Sequence, residues 1–296
     1  MRVLIAGSSG LIGSALVAHL RAAGHDVLRL VRREPAGPDE RSWDPPAARI
    51  DEGTFDGVDA VVNLCGVGIA DRPWSGARRQ QLRDSRTVPT EVLAAAVADH
   101  GVAAFLSGSA VGIYGDAGPQ EVDERAPSGG GFLAELCRDW EGSARKAQEA
   151  GARVVLLRSG LVLSRRGGLL GRLRPLFKGF LGARLGRGTQ YMPWISLDDH
   201  IGAIRFLLEH PEVSGPVNLT GPLPVTNTEF TAALAAAVKR PAGLAVPAFV
   251  LKATMGVMGE EMLLYSQRAV PAALQDAGFP FRHVTVGEAL SAVVDR

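Results

Sequence analysis

The sequence predicts an α/β protein: a doubly wound parallel sheet with a smaller lobe toward the C-terminus. Three observations predict it. A short apolar run, Val3 to Ala6, passes straight into a glycine-rich turn and an amphipathic helical pattern. Short apolar runs then alternate with helical patterns through the first two thirds of the chain, the mark of βαβ units with helices on both faces of a sheet. That order weakens after Gly160, where a different kind of region begins.

Taken in order, Val3 to Ala6 is a buried strand, and Ile12, Leu16 and Leu20 mark one helix face at fourfold spacing. Gly24-His25 introduces a second strand, Asp26 to Val31, and Ala60 to Leu64 is a third. Val88 to Ala98 is an alanine-rich helix, Ala103 to Leu106 a fourth strand, Phe132 to Ala150 a long helix and Val154 to Leu157 a fifth strand. Arg165 to Gly188 is rich in Gly, Arg and Leu and has little periodicity. Ile201 to Leu208 reads as a helix, Val217 to Leu219 as a returning strand, and Val225 to Lys239 as a helix capped near Thr226 or Asn227. The expected division is a dinucleotide domain over 1–160, completed by about 196–220, and a smaller substrate lobe over 161–195 and 221–296.

The chain has 296 residues, 46% of them hydrophobic, enough for one sizeable core or a main domain with a smaller lobe. A formal net charge of +1 argues against a nucleic-acid or membrane surface and for a small-molecule ligand. Its two cysteines, Cys65 and Cys137, sit in apolar or mixed runs, so neither a disulfide framework nor a zinc site is expected. Met1-Arg2-Val3-Leu4-Ile5 lacks the apolar stretch and cleavage site of a signal peptide, and no apolar run approaches the ~18 residues of a membrane helix. A cytoplasmic location is the expectation.

The central motif is Gly7-Ser8-Ser9-Gly10-Leu11-Ile12-Gly13. Between a strand and a helix, this pattern is the phosphate-binding turn of a Rossmann-type fold. Gly7 permits the turn, Gly10 lets backbone approach a pyrophosphate, and Gly13 lets the helix pack closely. Free N–H groups at the helix start, from Ser9 through Leu11 and Ile12, meet the phosphate charge. The plain reading is an ordinary glycine-rich turn; the flanking strand and helix favour a cofactor. Dinucleotide domains that select NAD place an acid at the end of the second strand, for the ribose hydroxyls. Here that place holds Val31, Arg32 and Arg33, with no acid before Glu34. An arginine there pairs instead with a 2′-phosphate, so NADP(H) is the expected cofactor.

With that loop in place, the later motifs resemble the extended short-chain dehydrogenase/reductases, the group that includes nucleotide-sugar epimerases. Asp59 to Gly66 resembles that group's third-strand segment, and the resemblance lays Leu64, Cys65 and Gly66 along the cofactor. Leu106 to Gly115 resembles its fourth-strand segment, which implies a cofactor-side role for Ser107 and makes Ser109 the match to the active-site serine. A narrower resemblance, to atypical epimerase family proteins of unknown substrate, covers about 280 residues. It rests on the joint order of Trp43-Asp44-Pro45, Arg72-Pro73-Trp74, Ser85-Arg86, Trp140-Glu141, Arg158-Ser159-Gly160, Pro193 to Asp199, Val225-Thr226-Asn227, Ser266-Gln267-Arg268 and Gly278 to Phe281.

The catalytic pattern of that superfamily is missing. It requires a Tyr and a Lys four residues apart, on one helix face, so that the ammonium lowers the phenol pKa. Aligning Glu141 with the glutamate that follows the lysine puts Leu133 at the tyrosine and Cys137 at the lysine. None of the three tyrosines, Tyr114, Tyr191 and Tyr265, has a lysine four residues on. Two readings stay open. One is an oxidoreductase or epimerase-like enzyme with a relocated acid, for which Ser109 and Tyr114 are the candidates; the other is a catalytically silent NADP(H)-binding sensor or interaction protein. Tyr114 also reads as a packing residue at a turn, since the family pattern carries a tyrosine there beside a normal catalytic one.

The remaining candidates divide in the same way. Cys65 reads as a reactive thiol or, in preference, a small filler. Arg86 reads as a contact to a cofactor phosphate or a substrate acid, or as a surface salt bridge. Trp74 and Trp194 read as pocket walls or as core. The six histidines show no metal-ligand spacing, and Asp198-Asp199-His200 reads as a helix cap, so no metal is expected. A homodimer is common in the superfamily and is carried as an expectation.

Overall fold

The computed structural model describes residues 1–294. Its main sheet has eight strands. Four of them run in parallel register around β1 (Arg2–Ala6): β2 (Asp26–Val31) pairs Val3 with Val27, and β5 (Ala60–Asn63) pairs Val3 with Ala60 on the other side. Beyond β2 lie β3 (Glu40–Asp44), parallel, and β4 (Arg49–Ile50), antiparallel. Beyond β5 lie β6 (Ala104–Ala110), then the strands Arg153–Ser159 and Gly215–Leu219. The winding thus reverses between β1 and β5. At such a switch point the loops leaving the two strands diverge and open a crevice at their carboxyl ends.

β1 carries a four-residue apolar run, Val3 to Ala6, with both faces buried, as a central parallel strand requires. α1 (Leu11–Ala22) buries Gly13, Leu16, Val17 and Leu20 and follows the helical expectation. Other elements depart from expectation for identifiable reasons. α2 spans Gly76–His100, starting a dozen residues before the apolar pattern does and ending two after it. Ser75 caps it by accepting the Arg78 N–H, and Gly101 ends it in the left-handed region at φ 65°. The pattern hides its first half because Arg78, four residues before buried Leu82, occupies a core-facing position with a long apolar stem. The long helix expected over Phe132–Ala150 is two helices, α3 (Phe132–Gly142) and α4 (Arg145–Glu149). Between them Ser143 turns its hydroxyl back to the Asp139 carbonyl at 3.0 Å, next to Gly142, both unfavourable to continued helix. β6 runs on to Ala110 through Ser107-Gly108-Ser109, small polar residues that stay buried. A Cβ on Gly108 would lie 2.6 Å from the Trp140 ring. The region with little periodicity contains a helix, Gly168–Lys178, burying Leu170 and Phe177.

The chain divides into two compact units. The first comprises 1–109, 136–157 and 201–217; its core joins Leu4, Leu28, Leu30, Val61, Leu93, Val97 and Phe105. The second comprises 110–135, 158–200 and the chain from Asn218 on; its core joins Leu163, Phe177, Trp194, Phe230, Leu234 and Leu290. Residues 110–135, inside the first-domain bounds suggested by the sequence, group with the second unit. No helix among the described residues is long and apolar enough to cross a membrane.

Candidate functional site

The glycine turn divides its labour among three residues. Gly7 sits at φ 79°, and a Cβ there would lie 2.6 Å from the Leu64 carbonyl oxygen at the end of β5. The turn therefore approaches β5 as closely as backbone allows. A Cβ on Gly13 would overlap the Gly7 carbonyl, so its bareness serves the turn itself as well as the helix packing expected of it. Gly10 is different: exposed, with only the Gly7 oxygen, 3.3 Å away, near a Cβ. α1 begins here with no side-chain cap and no acid in its first turn. With Ser9 and Gly10 exposed and no side chain closing its first turn, the positive end of the helix dipole has the arrangement that receives an anion.

The two arginines after β2 have different fates. Arg32 is exposed and makes no hydrogen bond or ion pair among the described residues. Arg33, expected beside it as a cofactor contact, is engaged elsewhere. Its two terminal nitrogens donate to both Glu40 oxygens at 2.7 and 2.6 Å. Sequence inspection missed Glu40 because it follows a loop and opens a strand that has little apolar signal.

At the end of β5, Cys65 donates its N–H to the Asn63 side chain at 3.1 Å. Asn63 in turn donates to the Thr90 hydroxyl at 2.8 Å, as does the Trp140 ring N–H at 3.1 Å, and Thr90 donates to the Arg86 carbonyl at 2.7 Å. Asn63 and Thr90 are wholly buried, so this chain of bonds fixes the strand end from beneath. Burial pushes the Cys65 thiol up to about 12, with the Arg32 charge a weaker opposing influence, so the thiol stays protonated and inert. Arg86 forms no salt bridge among the described residues. Its guanidinium donates to the Leu82 and Val67 carbonyls at 3.0 and 3.1 Å and lies 5.2 Å over the Trp140 ring. Burial lowers its pKa to about 10, with Cys137 and Arg78 as smaller influences of opposite sign. It braces the loop at exposed Gly66, where a Cβ would sit 3.2 Å from its Cζ.

On β6, Ser107 is fully buried and its hydroxyl lacks a partner among the described residues. Ser109 donates to Glu141 Oε1 at 2.6 Å. Tyr114 belongs to the second unit and is 3% exposed. Its hydroxyl donates to Asn218 Oδ1 at 2.7 Å and accepts from Arg158 at 3.1 Å, and burial raises its pKa. Both halves of its hydrogen-bonding capacity are thus spent inside that unit. On α3, Leu133 is half-buried and Cys137 buried. Trp194 is core, and Trp74 donates its ring N–H to the Ile69 carbonyl at 2.9 Å. Ser196 caps the helix Leu197–Glu209 by accepting the Asp199 N–H at 3.0 Å. The described residues contain no cluster of three or more His, Cys, Asp or Glu suited to a metal.

The profile of the NAD dependent epimerase/dehydratase family matches residues 3–220, and the chain belongs to that family. A domain of unknown function, DUF1731, matches residues 246–293. Within the family the chain aligns end to end with proteins known simply as epimerase family proteins. One from Mycobacterium bovis is 58% identical over 99% of this chain and 98% of its own. Human epimerase family protein SDR39U1, whose crystal structure was determined with NADPH, superposes with a TM-score of 0.92 at 33% identity over the whole of both chains. A nucleoside-diphosphate sugar epimerase from Corynebacterium glutamicum superposes with a TM-score of 0.83 at 36% identity, over 99% of this chain and 58% of its own.

Proposed function

We propose that this protein binds NADP(H) in the crevice at the switch point and belongs with oxidoreductase-like or epimerase-like proteins of small-molecule substrates. The observation that carries the reading is the open backbone cradle at Gly10, with Arg32 left uncommitted after β2. The cradle suits a pyrophosphate: α1 offers unbonded N–H groups where a side chain is lacking. The free guanidinium suits a 2′-phosphate. Ser9, Gly10, Leu11 and Ile12 would hold the pyrophosphate, Arg32 the 2′-phosphate, and Leu64 to Gly66, braced by Arg86, the wall opposite. The crystal structure of the human relative with NADPH supports NADP(H) as the cofactor. When bound, the nicotinamide supplies hydride transfer; the protein orients it and handles protons.

On the proton side the residues are unconventional. Leu133 has no proton to exchange and Cys137 carries no positive charge. Ser109 and Glu141 form a hydroxyl–carboxylate pair between β6 and α3. This favours slow or specialised chemistry, and the same absence supports a second reading, a silent NADP(H)-binding sensor. Cys65 and Cys137 form no disulfide, which suits a reducing, cytoplasmic setting. A homodimer remains part of the proposal.

Titration of the full chain with NADPH and NADH, followed by nicotinamide fluorescence, tests the cofactor assignment. Wild type binds NADPH more tightly. Arg32→Ala weakens NADPH roughly ten- to a hundredfold, the worth of a charge-assisted contact, while NADH hardly moves. Equal losses for both cofactors, or a wild-type preference for NADH, would sink the assignment.

A further inference from the structure

We infer that Glu40 is a specificity-determining positioning residue: it engages Arg33 and pins the turn after β2, so that Arg32 alone is presented to a cofactor 2′-phosphate. The inference rests on the cofactor reading above.

The geometry is confined to the first unit. The Glu40 side chain is 1% exposed. Oε2 accepts from Arg33 Nη1 at 2.7 Å and from the Ala36 N–H at 2.7 Å. Oε1 accepts from Arg33 Nη2 at 2.6 Å and lies 3.0 Å from Arg29 Nη2. Two charged groups and one backbone group therefore converge on one enclosed carboxylate, which holds the segment Arg33–Ala36 at both ends. Register reinforces it, since Arg29 on β2 stands opposite Glu40 on β3. Asp39 engages Arg29 as well, at 2.9 Å, and also Arg21.

The consequence is a sorting of charges. Of Arg29, Arg32 and Arg33, only Arg32 has no acid partner among the described residues. Its neighbour on the far side, Arg33, is fixed in a bidentate fork that a phosphate would have to break, and such forks are among the stronger charge-assisted contacts. The acids are sorted too. With both oxygens filled, Glu40 cannot serve as acceptor for ribose hydroxyls, the role an acid plays when NAD is selected. The hydrogen bonds from Arg33, and next the Ala36 N–H, hold the Glu40 carboxyl down to about 2, so the clamp stays charged at any ordinary pH. A preorganised receptor costs less to order on binding.

The test uses the full chain and both reduced cofactors. Glu40→Gln removes the charge, and Glu40→Asp keeps it but shortens the reach to Arg33 and Ala36. Both variants should bind NADPH about five- to tenfold more weakly, with NADH within about twofold of wild type, so that the selectivity ratio falls. Unchanged or tighter NADPH binding in Glu40→Asp overturns the inference, because a freed Arg33 would then be serving the phosphate. Equal weakening of both cofactors by Glu40→Asp also overturns it, since the role would then be general to the fold. Should Glu40→Gln fail to fold, Glu40→Asp decides alone. Failure of the underlying cofactor reading appears separately, as wild type that binds neither cofactor or prefers NADH.

Discussion

At the scale of single residues, what a side chain can do here depends on whether its partners are already present. Arg32 and Arg33 are neighbours of the same type, yet one is uncommitted and the other carries a buried carboxylate on its fork. Ser109 holds a proton aimed at Glu141, and Tyr114 spends its own on Asn218. His200 is the residue whose environment has the clearest consequence for stability. It is wholly buried, its Nδ1 lacks a partner among the described residues, and Nε2 lies 2.9 Å from the Ser159 hydroxyl. Burial lowers its pKa to about 4, from the usual 6.5. The folded state thus favours the neutral ring, whereas the unfolded chain takes up a proton near pH 6.5. This stabilisation is full above pH 6.5 and is lost as pH falls toward 4, by up to about 3 kcal/mol. Unfolding free energy measured against pH should fall more steeply over that interval in wild type than in His200→Asn. Parallel slopes would mean that the ring is charged in the folded protein.

At the scale of elements, the site is made by the places where elements begin and end. α1 starts without a cap, and its exposed N–H groups become the cradle. α3 starts with one: buried Glu261, on the segment Glu260–Leu264, accepts the Phe132 and Leu133 N–H groups at 2.9 and 2.8 Å. The contrast is informative, because a helix whose first turn is meant for a ligand cannot also be closed by its own carboxylate. Gly10→Val tests the cradle. A Cβ at this exposed position meets only the Gly7 oxygen, at 3.3 Å, so the fold should survive while the branched side chain fills the space for a pyrophosphate. Circular dichroism should match wild type, and NADPH binding should be lost; binding at wild-type strength would place the cofactor somewhere other than the turn. The motif itself was legible in the sequence, since strand, glycines and helix follow one another without interruption. The network beneath it was not. Asn63, Thr90 and Trp140 come from β5, α2 and α3, and nothing in their spacing announces that one hydroxyl joins them.

At the scale of the whole molecule, the chain belongs to the epimerase/dehydratase family and lacks the Tyr-x-x-x-Lys pair that the resemblance implies. Leu133 and Cys137 stand on α3 where the resemblance expects tyrosine and lysine. Acid–base help of that kind contributes about 10²–10⁴ in rate. Wild type should therefore bind NADPH yet turn over ordinary ketones, aldehydes and nucleotide sugars negligibly, as read by absorbance of the reduced nicotinamide. Leu133→Tyr combined with Cys137→Lys should create weak reductase activity, since the resemblance makes Ser109 the match to the active-site serine. Brisk wild-type turnover that survives both Ser109→Ala and Tyr114→Phe would show that another group moves the proton. The sequence by itself determined the α/β class, the turn after β1 and the missing pair, because each is written in residues close together along the chain and obeys a short period. Tertiary structure alone decided which arginine is free, how far α2 extends past its apolar pattern, and where 110–135 belongs. Those outcomes turn on partners that no short period announces, such as Glu40 for Arg33 or Asn218 for Tyr114, and on polar residues taking core positions, as Arg78 does on α2, where hydrophobic periodicity carries no signal.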